Sequence, residues 1–238
     1  MRVIRHAGTA LAVALFCFLL YLYADREFAQ AMVNLPEWVK TFFNYVNKLG
    51  YGVWYVIPSL LMVLGVWVLE KRVPEDPRLP GMRLWRQRSL FLAGSVLGSG
   101  LLNLVPKIIL GRPRPGIFQE FGDYGFYFFQ TTARMWSFPS GHANTVFAAA
   151  TCIFLLRPRW GWFLFPAATL VALSRAVAGA HFLSDVLAGG YLGFLTVIAL
   201  REVLVRYGSD LFKAGPAGTA ELGGQPVSGS CQEAGNGE

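Results

Sequence analysis

The chain has 238 residues, of which 54% are hydrophobic and 15% are charged, and its formal net charge at pH 7 is +7. Soluble domains usually contain about a quarter of charged residues, so this composition excludes an ordinary soluble globular protein. In a soluble chain the basic excess would suggest a nucleic-acid partner. In this chain the basic residues flank long apolar segments, as is usual in membrane proteins. This arrangement explains the positive net charge, and no nucleic-acid partner is expected.

Six long apolar runs predict an all-α membrane protein. They cover residues 7–24, 51–69, 89–110, 143–156, 160–178 and 182–200. Most have the roughly 18–20 residues that a membrane-spanning helix needs, and the fourth reaches that length if its helix starts near Ser137. We therefore expect an integral membrane bundle of six transmembrane helices over residues 1–205. A glycine-rich and disordered tail is expected over 206–238.

Two segments between the runs are rich in aromatic residues. Residues 35–50 repeat apolar side chains at helical spacing, which predicts an amphipathic helix. This helix could lie on the outer membrane surface or pack over the bundle, and the pattern does not choose. The segment after the third run is dense in Phe and Tyr between residues 118 and 136. It could line an opening for acyl chains or form an interface belt.

The distribution of basic residues predicts the orientation. With the N-terminus in the cytoplasm, thirteen of the 21 Lys and Arg residues fall on the cytoplasmic side, six of them between the second and third runs. The positive-inside rule then places both termini in the cytoplasm. The expected location is the inner membrane of a bacterium, with the opposite face toward the periplasm.

Ionisable residues gather at the outer ends of the predicted spans. Such residues within a span are functional candidates by default. Because adjacent spans run in opposite directions, these ends should meet on one side of the membrane. The set consists of Lys107 near the end of the third run, Arg112 and Arg114 just after it, His142 in the fourth, Arg175 in the fifth, and His181 with Asp185 at the start of the sixth.

This set of residue types suits phosphate chemistry. Guanidinium groups match the oxygens of a phosphate in pairs, and a lysine adds a point charge. Ser140 and Gly141 precede the body of a predicted helix. The free amides and positive dipole of a helix start attract an anion, and a glycine lets the anion come close.

The two histidines supply candidates for the reactive groups. His181 and Asp185 are four residues apart, so on a helix they share a face and can hydrogen-bond. A carboxylate on one ring nitrogen leaves the other nitrogen free to attack, and His142 could protonate the departing oxygen. A metal site of the two histidines and the carboxylate is the alternative, against which the surrounding cations argue. The pattern favours phosphoryl transfer through a phosphohistidine, completed by water.

Three motifs resemble a known family. They are "KIILGRPRP" over 107–115, which matches Lys-x6-Arg-Pro, "PSGH" over 139–142, and "SRAVAGAHFLSD" over 174–185, which matches Ser-Arg-x5-His-x3-Asp. In order and spacing they resemble the signature of the type 2 phosphatidic acid phosphatases, which share a core with vanadium haloperoxidases. No position departs from that pattern.

The resemblance implies a helical bundle with a metal-independent active site, without a cofactor, at the outer membrane face. It implies that Lys107, Arg114 and Arg175 bind phosphate, assisted by Ser140 and Gly141. His142 would be the general acid, His181 the nucleophile and Asp185 its orienting partner. Arg112 lies outside the core signature and stands as a candidate auxiliary contact.

The expected function is that of an integral membrane phosphatase acting on a lipid phosphomonoester or diphosphate. The family covers phosphatidate, phosphatidylglycerol phosphate, undecaprenyl diphosphate and lipid A phosphates, and the sequence does not choose among them. A phosphotransferase with the same site is one alternative. A non-enzymatic binder of anionic lipid is another, which the His-His-Asp set disfavours. The expected partners are the bilayer and the lipid substrate, with no obligate protein partner.

Overall fold

The structure, a computed structural model, describes residues 2–209 and 211–212, and within them it contains helices but no strand. The predicted tail falls almost entirely outside these residues. The α-helices are α1 (Arg2–Tyr23), α2 (Asp25–Val33), α3 (Glu37–Asn47), α4 (Val53–Arg72), α5 (Leu79–Leu110), α6 (Pro115–Phe121), α7 (Gly141–Leu156), α8 (Gly161–Val177) and α9 (Leu183–Arg206). Each of the six apolar runs becomes a helix, which confirms the all-helical prediction.

Several helices are suited to cross a membrane. Within the described part of the chain, four helical segments are long and apolar enough to do so, namely Glu37–Arg72, Leu79–Leu110, Pro158–Val177 and Leu183–Arg206. A fifth is added if Ala7–Tyr23 and Asp25–Val33, which meet at a bend of 55°, count as one span. These segments indicate a membrane protein. The count of six spans and the cytoplasmic termini stay predictions.

The helix of the fourth run does not start near Ser137. It begins at Gly141 and has 16 residues, because the preceding backbone is bonded elsewhere. The Ser137 N–H donates to the carbonyl of Arg112 at 3.0 Å, and the Ser140 N–H donates to the carbonyl of Asp185 at 2.9 Å. Ser140 then caps the helix, since its hydroxyl accepts from the Ala143 N–H at 3.5 Å. Residues 137–140 therefore link three parts of the chain.

The short helix α7 is the centre of the bundle and packs against α5, α8 and α9. Its contact with α9 is close because α9 presents glycines there. A Cβ atom at Gly189 would overlap the backbone of Ser140, and one at Gly193 would overlap the backbone of Asn144. The Gly-xxx-Gly spacing of α9 thus serves a contact within this chain.

The amphipathic segment is a helix, as predicted, and its two faces differ. Val46 on α3 packs against the buried cluster formed by α7 and α8. Trp38, Phe42 and Tyr45 are exposed on the other face. After α3, residues Lys48–Gly50 form a short 3-10 helix that contacts the N-terminal end of α7.

Candidate active site

The site lies where α5, α7, α8 and α9 end or begin, and Lys107 closes one side of it. Lys107 is in the last turn of α5. Its ammonium group donates to the carbonyls of Trp136 at 3.1 Å and Pro139 at 2.5 Å. An ammonium has three N–H donors, so one remains for a ligand. Lys107 therefore fixes the segment 136–139 before α7 and places a positive charge beside it.

His181 is fixed by a backbone carbonyl. It lies in the turn between α8 and α9, only 4% exposed, and its Nδ1 is 2.7 Å from the carbonyl oxygen of Ser137. A carbonyl oxygen can only accept, so Nδ1 carries the proton. In the neutral ring Nε2 then keeps its lone pair. This is the tautomer that nucleophilic attack through Nε2 requires.

Asp185 supports His181 indirectly. Its Oδ2 is 3.9 Å from Nδ1 of His181, which is too long for a hydrogen bond. The same oxygen accepts from the Ser137 hydroxyl at 2.6 Å and from the Phe182 N–H at 2.8 Å. The expectation of a direct His181–Asp185 hydrogen bond on one helix face was wrong, because α9 begins only at Leu183. Ser137 stands between the two side chains and bonds to both.

His142 enters the site from the first turn of α7. The ring packs edge-on against Tyr51, with the ring centroids 4.9 Å apart, and Gly50 lies directly against its other atoms. Its Nε2 is buried and has no hydrogen-bond partner among the described residues. Buried polar atoms are nearly always hydrogen-bonded, so this nitrogen has the capacity to bond to a ligand.

The three predicted phosphate-binding cations converge on His181. Lys107, Arg175 and Arg114 all act on its charge, and together with its burial, which has the largest effect, they lower the pKa of His181 well below its usual value. A cationic imidazole is disfavoured among neighbouring cations and away from water. The neutral form that can attack a phosphorus is therefore the stable one.

The two arginines have neutral partners in the absence of a ligand. Nη1 of Arg175 donates to Oδ1 of Asn47 at 2.9 Å, and Nε of Arg114 donates to the carbonyl of Ala133 at 3.2 Å. Nε of Arg175 is buried without a partner among the described residues. Among the described residues neither guanidinium forms a direct ion pair with a carboxylate, so the site favours an anion.

Ser140 and Gly141 lie at the start of α7, as the sequence predicted. Ser140 is completely buried and its hydroxyl serves as the N-cap, so this side chain supports the helix. A Cβ at Gly141 would meet only the side-chain amide of Asn103, at 3.8 Å. Beside His142, the start of α7 therefore leaves space for a ligand next to Gly141. The first backbone amides of the helix have no partner within the helix and can donate to such a ligand.

Arg112 does not reach the site as the auxiliary phosphate contact that the sequence suggested, because it is buried among protein partners. It is fully buried, and its guanidinium donates to Asp185 at 2.5 Å, to Ser184 at 2.8 Å and to Asp25 at 2.9 Å. All three partners are themselves buried. Sequence reasoning missed Asp25 and Ser184. The signal for Asp25 was a carboxylate at the end of an apolar run, where a charge needs a partner.

The donors present do not favour a metal site at the histidines. Both oxygens of Asp185 already accept hydrogen bonds, one from Arg112 and the other from Ser137 and Phe182. Among the described residues no group of three or more His, Cys, Asp or Glu side chains is placed to hold a metal ion. The alternative of two histidines and a carboxylate around a divalent cation therefore finds no support in this arrangement.

Comparisons with known proteins identify the family of the chain. Residues 88–208 match the family model of the PAP2 superfamily. A lipid A 1-phosphatase of Rhizobium johnstonii is 37% identical over 187 residues, which is 77% of this chain and 75% of that protein. A lipid A 1-phosphatase of Rhizobium etli is 39% identical over 132 residues, 54% of this chain. This second match spans about half of the relative, namely 55% of its length.

The fold has a counterpart among solved structures. The crystal structure of a transmembrane PAP2 type phosphatidylglycerolphosphate phosphatase from Bacillus subtilis superposes with a TM-score of 0.53 at 19% identity. The superposition covers 82% of this chain and 96% of that chain. The chain therefore belongs to the PAP2 superfamily, the type 2 phosphatidic acid phosphatases whose motifs it carries, and it is a membrane phosphatase of that family.

Proposed function

We propose that the protein hydrolyses a phosphate group from a membrane lipid through a phosphohistidine intermediate on His181. One observation carries this proposal. The carbonyl of Ser137 fixes the proton of His181 on Nδ1, which frees Nε2 beside three cations suited to hold a phosphate. A protein that only binds anionic lipid would need the cations but not an oriented imidazole.

The first step forms a bond between Nε2 of His181 and phosphorus while the bond from phosphorus to the lipid oxygen breaks. The electron pair of the broken bond stays on the lipid oxygen, which takes a proton from His142. Lys107, Arg114 and Arg175 hold the non-bridging oxygens, whose negative charge they offset in the transition state. Their positions around His181 support this role.

The second step returns the enzyme to its initial state. Water attacks phosphorus and loses a proton to His142, the nitrogen–phosphorus bond breaks, and its electron pair returns to Nε2. Inorganic phosphate leaves. The unpaired Nε2 of His142 is the atom that exchanges the proton in both steps.

A membrane lipid is the proposed substrate class because an apolar cleft lies beside the site. The cleft has a volume of about 520 Å³ and lies between α1 and α9, with Cys17 and Leu195 among its lining residues. Phe138, Pro139 and Ser184 also line it. Pro139 is also the residue whose carbonyl binds Lys107. An acyl chain in this cleft would place its phosphate near the cations.

Among lipid phosphates we propose the 1-phosphate of lipid A as the preferred substrate. The support is the 37% identity over three quarters of a lipid A 1-phosphatase. We further propose one phosphatase domain over residues 1–205, six spans, cytoplasmic termini and a site facing the periplasm at the inner membrane. The basic cluster around Arg83, Arg86 and Arg88 at the start of α5 supports this orientation.

The test is phosphate release by the purified protein from lipid A, phosphatidate, phosphatidylglycerol phosphate and undecaprenyl diphosphate, with EDTA present. We expect release, fastest from lipid A, and none from His181→Ala. A ³²P-labelled substrate stopped in alkali should leave label on the wild-type chain. Arg114→Ala should raise KM, whereas Arg134→Ala, on an exposed residue between α6 and α7, should not.

Three results would redirect the proposal. Release that depends on a metal would restore the metal-site alternative. Release only in the presence of an acceptor lipid would identify a phosphotransferase. Lipid binding without release, equal in wild type and His181→Ala, would identify a binder.

A further inference from the structure

A buried ion network connects α2 to the nucleophile through Arg112. One terminal nitrogen of Arg112 donates to Asp185 and Ser184, and the other donates to Asp25. Asp25 lies outside the segment 88–208 that matches the family model. Its side chain nevertheless contacts Arg112 and Ser184, and the position of Asp185 depends on both.

The guanidinium of Arg112 has no access to water. The rings of Phe182, Tyr21, Tyr124 and Phe126 surround it with centroids between 4.2 and 5.4 Å from the guanidinium carbon. In such surroundings a charge must find its partners within the protein. The direction in which Arg112 points is therefore set by the two carboxylates, one on each side.

Asp25 binds the start of α9 as well as Arg112. Its Oδ1 accepts from the backbone N–H of Ser184 at 3.0 Å, and its Oδ2 accepts from the Ser184 hydroxyl and from Arg112. Ser184 immediately precedes Asp185 in the first turn of α9. Two independent contacts of Asp25 thus converge on the placement of Asp185.

The remaining links run from Asp185 to the imidazole. Asp185 accepts from the hydroxyl of Ser137 at 2.6 Å, and the carbonyl of Ser137 accepts from Nδ1 of His181 at 2.7 Å. When both carboxylates are ionised, they and the guanidinium together carry one net negative charge. As Nε2 attacks phosphorus the imidazole becomes positive, so this charge favours the transition state.

We propose that Asp25 is a positioning residue of the reaction, which holds His181 in its attacking tautomer through Arg112, Ser184, Asp185 and Ser137. This inference rests on the proposed function of His181 as nucleophile. It adds a required carboxylate from α2, a helix that carries none of the three signature motifs.

The first experiment compares Asp25→Asn with Glu27→Gln, using lipid A, or phosphatidate if lipid A is not cleaved, in detergent micelles. Both variants remove one carboxylate from α2, but Glu27 is exposed. Displacement of a reacting group by about 1 Å can cost about 100-fold in rate. We expect kcat of Asp25→Asn to fall about 10- to 100-fold with KM within about threefold, and Glu27→Gln to match wild type. Asp25→Glu should recover part of the loss. An Asp25→Asn enzyme with wild-type kcat would overturn the proposal.

Ser184→Ala covers the case in which Asp25→Asn does not fold. It removes the hydroxyl shared by Asp25 and Arg112 and keeps every charge. We expect a several-fold lower kcat at unchanged KM, and an unchanged kcat would contradict the proposal.

A spectroscopic measurement separates this inference from the proposed function. In ¹⁵N-histidine-labelled protein, His181 should show the Nδ1–H tautomer in wild type and a mixture of tautomers in Asp25→Asn. The signal of His181 is assigned by its loss in His181→Ala. If wild type releases no phosphate, the proposed function fails while the tautomer spectrum still decides the role of Asp25. If wild type is active and the spectrum is unchanged in Asp25→Asn, the positioning role fails alone.

Discussion

Replacement of Gly50 by alanine should disable His142 without touching any charged group. Gly50 is buried in the short 3-10 helix after α3. A Cβ atom there would overlap Cδ2 of His142 and lie 2.9 Å from Cγ and 3.0 Å from Cβ of the same residue. Gly50 does not have a positive φ, so an alanine there adds no backbone strain. The effect of the substitution comes only from the steric overlap with His142.

The size of the effect follows from these distances. Ordinary contacts begin at 3.4 Å, so the imidazole and the 3-10 helix must together move apart by about 1 Å to relieve the overlap at Cδ2. Overpacking of this kind costs about 1–3 kcal/mol of stability. A 1 Å displacement of a catalytic group can cost about 100-fold, so we expect kcat to fall about tenfold, or ~1.4 kcal/mol in activation free energy.

The assay is steady-state phosphate release together with thermal unfolding in detergent. Gly52→Ala is the matched control, since its Cβ would lie 3.6 Å from Val96, an ordinary contact. We expect this control to keep the kcat and the Tm of wild type. The reasoning is refuted if Gly50→Ala turns over lipid at the wild-type rate, because His142 would then not depend on the space that Gly50 leaves.

Three further changes test other parts of the structure. Gly193→Ala should lower the stability by about 1–3 kcal/mol because its Cβ would overlap the backbone of α7, whereas Gly94→Ala, with no atom within 4 Å and a higher helix propensity, should not lower the Tm; equal melting of the two would contradict the close helix contact. Because the folded protein lowers the pKa of His181, the unfolded state alone binds a proton there as the pH falls below about 6.5. Stability should therefore decline toward acid by up to about 1.4 kcal/mol per pH unit, and His181→Gln should melt with a weaker pH dependence between pH 7 and 5; identical slopes would count against it. Asn47→Ala removes the acceptor that orients the arginine of α8 and should raise KM for the lipid several-fold, while the exposed Asn44→Ala should not; a KM unchanged by both would mean that this hydrogen bond does not matter for binding.

The sequence could predict that the cations come together, because this depends only on neighbouring helices running in opposite directions. Lys107 lies near the end of one long apolar helix and Arg175 near the end of another, while His142 lies in the first turn of α7 and His181 just before α9. Antiparallel neighbours bring such ends together whatever the details of packing. The family motifs added the roles of the residues, which geometry at this level does not contain.

The hydrogen bonds within the site were less accessible. Four-residue spacing indicates contact only when both residues are helical, and His181 lies before the first turn of α9. The contacts of Asp25 with Arg112 and Ser184 join residues 87 and 159 positions apart. No local pattern encodes them, since they depend on how α2 bends away from α1. The approach of Gly50 to His142 is of the same kind.

The hydrogen bonds of the site cations bear on how the enzyme releases its product. Two of the three N–H donors of Lys107 are bonded to carbonyls, and Arg114 and Arg175 each donate to a neutral oxygen. In the proposed mechanism, a phosphate that binds these cations replaces existing hydrogen bonds, so the number of hydrogen bonds changes little. We therefore expect inorganic phosphate to be held mainly by charge, and the protein oxygens to take back the donors when it leaves. Such a site is suited to turnover, because tight retention of phosphate would block the next lipid.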